Sequence, residues 1–121
     1  MPGDAEARPS LPPPLPRTAT DLRFDFTAVD RQGGRVPSLL TISPPTLIPG
    51  GQDWYCTFTF SGFDDRARNA YGATGLQALE HATRMSRWLL ASAERDWSFW
   101  FSDEGPMDFA AFNALDGLTS N

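Results

Sequence analysis

The chain has 121 residues, a formal net charge of −5 and 40% hydrophobic residues, with nine Phe and four Trp to fill the core of one domain. A single cysteine excludes an internal disulfide framework, and with only one histidine besides it, a metal site built from His and Cys is excluded too. All ten basic residues are arginine, a usage that fits a GC-rich bacterial genome. With no lysine, neither Schiff-base chemistry nor a P-loop lysine is open to this protein.

Residues 1–20 hold six of the eleven prolines: Pro2, Pro9, Pro12, Pro13, Pro14 and Pro16. Proline fixes φ and removes a donor, so this stretch reads as an extended, solvated, flexible arm. A single domain over 21–117 and a short tail over 118–121 follow. The arm lacks the basic start and unbroken apolar run of a secretory signal, and no window approaches the roughly 18 apolar residues of a membrane helix. A cytoplasmic protein that does not enter the membrane is expected.

Residues 22–30 alternate. Leu22, Phe24, Phe26 and Ala28 would point one way, and Arg23, Asp25 and Thr27 the other, which is the period of a half-buried strand. Arg31-Gln32-Gly33-Gly34 supplies a turn, and a second strand runs from about Arg35 to Ile42 until Pro44 and Pro45 end it. Residues 46–52 read as a connection. Asp53 to Phe60 is the clearest strand, with Trp54, Cys56, Phe58 and Phe60 on one face and Tyr55, Thr57 and Thr59 on the other. A turn at Ser61–Asp65 leads to a short fourth strand around Arg68 to Gly72.

Thr74 with Gln77 three positions on forms a capping box that opens a long helix. Leu76, Leu79, Ala82, Thr83, Ser86, Leu89, Leu90 and Ala93 fall on one arc of it, and Gln77, Glu80, Arg84, Arg87 and Arg95 lie opposite. Trp97-Ser98-Phe99-Trp100-Phe101 follows as a strand. Gly105-Pro106 ends it, and Met107 to Leu115 forms a short helix with Phe109, Phe112 and Leu115 inward. The expected fold is α+β: an antiparallel four-stranded meander packed on one long helix, then a strand and a short helix (β-β-β-β-α-β-α).

Candidate catalytic groups are few. His81 falls near the polar side of the helix, and Cys56 points inward between Trp54 and Phe58, where a cysteine behaves as a small apolar residue. Asp64-Asp65 and Asp103-Glu104 are acidic pairs in or after turns; a hydrolase built on them is the weakest of the readings. The glycines form no phosphate-cradling pattern. The expectation is therefore a non-enzymatic protein without a cofactor or a metal.

The acidity is local. From Glu94 onward six acids stand against Arg95 alone, whereas the residues before it carry nine acids and nine arginines. A concentrated negative charge argues against nucleic acid as a ligand and for a basic protein partner. Trp88 lies off the apolar arc of the helix, either covered by the last segment folding back or exposed as an anchor. The candidate binding residues are Trp88, Trp97, Trp100, Phe101, Asp103, Glu104 and Asp108, an aromatic patch rimmed by acids. Nothing in the pattern fixes the oligomeric state.

Trp54 and Cys56, followed by Gly72-Ala73-Thr74-Gly75-Leu76-Gln77-Ala78-Leu79, carry a resemblance. Over about residues 22–100 the chain resembles an uncharacterised family of short bacterial proteins, a domain of unknown function with a W-x-C strand and a G-x-T-x-x-Q-A-L helix start. The resemblance implies a fold and no established activity. Small α+β proteins of this architecture are frequent among immunity proteins, so the leading expectation is an immunity-type inhibitor that blocks a bacterial toxin. The alternative is a small-ligand or regulatory domain with a pocket between sheet and helix.

Overall fold

The structure, a computed structural model, describes residues 11–115. The first ten residues of the arm, Asp116, the boundary at 117, the tail and the inward side chain expected for Leu115 lie outside the described residues. Six strands form one sheet: β1 (Leu22–Asp30), β2 (Arg35–Ile42), β3 (Thr46–Leu47), β4 (Trp54–Ser61), β5 (Arg66–Gly72) and β6 (Trp97–Trp100). The long helix α1 (Gly75–Ala93) precedes β6, and the short helix α2 (Phe109–Leu115) follows it. The α+β expectation and its element order hold, with β3 as an addition.

β1, β2, β4 and β5 form the antiparallel meander, and β6 returns antiparallel to the outer edge of β1, with Thr27 opposite Trp100 and Asp30 opposite Trp97. β2 and β3 use the same edge of β4. Leu39–Ile42 pair with Ser61–Phe58, and Thr46 and Leu47 pair with Tyr55 and Trp54. Between them Ser43 holds Thr57 from both its amide (2.8 Å) and its hydroxyl (2.8 Å). Pro44 and Pro45 break the ladder for only two residues, so the connection after them resumes pairing.

Alternation on these strands sends Phe26, Ala28, Leu40, Ile42, Cys56, Phe58, Phe60 and Phe99 to one face, all buried. Phe26 is the hub of the aromatic cluster, stacked on Phe101 (4.7 Å, 18°) and edge-on to Phe60, Phe63 and Phe99 at 5.9–6.3 Å. Such pairs add about 0.5–1.5 kcal/mol each beyond the area they bury. Phe63 reaches this cluster from the β4–β5 turn. That turn is built on Gly62, at φ 106°, where a Cβ would lie 2.5 Å from the Pro37 carbonyl oxygen.

α1 covers this face with a ridge of Ala78, Ala82, Ser86 and Leu90, all buried. Small side chains let the helix lie close, and Ser86 satisfies its hydroxyl on the Ala82 carbonyl at 2.7 Å. The approach is tightest at Gly72, where a Cβ would stand 2.4 Å from the Ala78 nitrogen. At the helix start the Thr74 hydroxyl accepts from the Gln77 amide (3.0 Å), and Gln77 Oε1 accepts from the Ala73 amide (2.6 Å), one residue earlier than the usual reciprocal bond. The arc read from sequence fails at Leu76, which is 77% exposed.

Candidate functional site

The seven candidate binding residues do not form one patch. In β6, Trp97 and Phe99 share a face with Phe101 just beyond the strand, and this face meets the core: Trp97 packs on Phe63 (5.8 Å) and Phe101 on Phe26 and Phe109. Trp100 points to the opposite, outer face of the sheet. Trp88 stands on α1, 44% exposed. The last segment does fold back on α1, through Asn113 Nδ2 to the Arg87 carbonyl (3.1 Å) and the Arg87 guanidinium over the Phe112 ring (5.0 Å), but it leaves Trp88 open. Asp108 opens α2, its Oδ1 accepting from the Ala111 amide at 2.9 Å, and Glu104 is exposed in the turn before it.

Trp100 and Asp103 do come together, and Phe101, though packed on the core, reaches the same cleft. With Asp25, Thr27, Arg35 and Ser102 they line an open cleft of about 360 Å³ on the outer face of the sheet. Asp25 and Thr27 arrive from β1 because β6 pairs beside them, a contact between segments some seventy residues apart that alternation along either strand cannot reveal. Two carboxylates and an indole face against one guanidinium suit a cationic side chain, held by charge-assisted hydrogen bonds and by the ring.

A second cavity, about 230 Å³, opens between α1 and the sheet. Phe24, Leu40, Ile42, Leu90, Phe101 and Phe109 are among its lining residues. Phe24 and Met107 at this cavity are 43% and 39% exposed.

Cys56, His81 and the Asp64-Asp65 pair, considered for catalysis, have structural employment, whereas Asp103 and Glu104 are exposed. Cys56 is fully buried, and burial pushes its thiol from 9.0 up to about 11, which keeps it protonated at neutral pH. His81 Nδ1 lies 2.5 Å from the Tyr71 carbonyl oxygen, so that nitrogen carries the proton and donates to the β5 edge. Asp64 pairs with Arg68 (3.0 Å) and accepts from the Arg66 amide, while Asp65, at φ 63°, accepts from the Gly62 amide and closes the β4–β5 turn. Among the described residues no group of three or more His, Cys, Asp or Glu is placed to hold a metal ion.

The proline-rich segment is the element that sequence reasoning placed differently. Expected in solvent, residues 12–17 lie along β4 on the outer face of the sheet. Leu15 donates its amide to Thr57 Oγ1 (2.7 Å), Tyr55 donates its hydroxyl to the Pro13 carbonyl (3.3 Å), and Asn69 donates to the Pro12 carbonyl (3.1 Å). Arg17 donates to the Ser61 hydroxyl. Compared with known proteins, the chain matches no family model, no curated protein and no solved structure.

Proposed function

We propose that the protein is a non-catalytic, protein-binding domain of the immunity type, acting in the bacterial cytoplasm by covering a basic surface of a toxin. The observation that carries this reading is the cleft in which Trp100 and Asp103 meet Asp25. An arginine of the partner would enter between the indole and the two carboxylates, while the net negative charge of the chain speeds encounter. Trp97 contributes by fixing β6 from the core side, Phe101 packs on the core and also lines the cleft, and Trp88 lies apart from it. Titration calorimetry against the toxin encoded beside the gene tests the reading. Trp100→Ala combined with Asp103→Arg should weaken binding by on the order of 100-fold or more; unchanged affinity would remove the cleft from the interface.

The apolar cavity under α1 favours a second reading, a site for a small apolar ligand. Its volume, about 230 Å³, is below the roughly 300–1,000 Å³ usual for ligand pockets, so it suits a single ring or a short chain. A thermal-shift screen with such compounds distinguishes the two readings, because a ligand bound only by the folded state raises its apparent stability.

A further inference from the structure

The outer face of the sheet already shows what kind of ligand it accepts. In the segment Leu11-Pro12-Pro13-Pro14-Leu15-Pro16-Arg17, Pro12 and Leu15 are half-buried while Leu11, Pro13, Pro14, Pro16 and Arg17 are exposed. A spacing of three is the period of the polyproline-II helix, and four of these seven residues precede a proline, which holds them extended. Such a helix makes no internal hydrogen bonds, so its carbonyls are free for a receptor.

The receptor is built for them. Tyr55 and Tyr71 stack at 6.2 Å (23°), an aromatic platform on neighbouring strands. Asn69 is fixed by Thr57 Oγ1, which donates to its Oδ1 (2.7 Å), and so aims its Nδ2 at the Pro12 carbonyl. Thr57 Oγ1 in turn accepts the Leu15 amide, the one backbone N–H in Pro12–Pro16. Tyr55 and Thr57 are each only 4% exposed under this cover. Aromatic rings with interleaved side-chain donors are how proline-rich peptides are recognised in general.

We propose that Tyr55, Thr57, Asn69 and Tyr71 form a recognition site for a proline-rich, polyproline-II segment of a partner protein, which the chain's own residues 11–17 occupy in the free state. Tethering gives the arm an effective concentration on the order of millimolar, so a partner segment must outcompete it or arrive with a second contact. The site involves neither Trp100 nor Asp103, so its failure and that of the toxin-binding cleft can be told apart.

The test follows the Leu15 amide of the full chain by hydrogen exchange and two-dimensional NMR while a synthetic peptide of residues 11–17 is added. Leu15 should be protected in the free protein. Millimolar peptide should reduce that protection and shift the Asn69 side-chain amide, and a peptide with alanine at every proline should do neither. Tyr55→Phe, which keeps the ring and removes one hydrogen bond, should lower the protection by about fivefold. Exchange of Leu15 at the rate of a free peptide in the native protein would overturn the proposal, as would equal displacement by the alanine peptide. Protection that rises with protein concentration would also overturn it, because the arm would then be exchanged between copies.

Discussion

Cys56 lies between the aromatic side chains of β4 with no exposed surface, and its thiolate is disfavoured there by desolvation. The unfolded chain loses this proton near pH 9.0 and the folded chain near pH 11, so the unfolded state is the better acid. Stability from this group is therefore constant below pH 9 and falls as pH rises toward 11, by on the order of 2 kcal/mol. Denaturant unfolding at pH 7 and pH 10.5, compared with Cys56→Ala, should show a steeper alkaline loss in the native sequence. Thiol reagents should modify the folded protein only at the rate of unfolding. The inward position of Cys56 was legible from strict alternation in the strand. Trp97, Trp100 and Phe101 were separable by the same rule, since neighbours on a strand face opposite ways; grouping them by composition as one patch hides that. The outward row of Asp25 and Thr27 was equally visible, but not that β6 would bring Trp100 beside it.

Glu94 joins two elements. It ends α1, and its carboxylate accepts from the first amides of α2, Phe109 at 2.7 Å and Ala110 at 3.1 Å. Those donors have no partner within the helix, so Glu94→Ala should destabilise the protein by about 1–2 kcal/mol in denaturant unfolding and speed hydrogen exchange at Phe109 and Ala110. α2 borders the apolar cavity, and the same variant should widen access to it. Periodicity and the capping box placed β1, β2 and α1 to within a residue or so, because those signals are local. β3 escaped because two residues carry no period, and it forms only where Ser43 anchors the chain to Thr57 across the proline pair. The seat of the proline-rich segment escaped for a related reason: a helix without internal hydrogen bonds is placed entirely by its receptor, here more than forty residues away.

At the scale of the whole molecule, one sheet face is largely covered by α1 while the other carries the proline-rich segment at its β4–β5 end and the acidic cleft at its β1–β6 end. Asp25 and Asp103 place two negative charges at that second end, against the single guanidinium of Arg35. If the partner is basic, the association rate should fall steeply as salt rises from about 50 to 500 mM, and Asp25→Ser with Asp103→Ser should flatten that dependence in stopped-flow measurements. The return of β6 to β1 has a consequence during biosynthesis. β1 is the first sheet strand to leave the ribosome, yet the residues that complete its outer edge, Trp97 to Trp100, are nearly the last of the fold to be translated. At roughly 5–20 residues per second, Thr27 waits about 4–15 seconds for Trp100. For that interval the nascent chain presents an open strand edge bordered by Phe24 and Phe26, a template for pairing with neighbouring chains on a polysome until Trp97 to Trp100 close it.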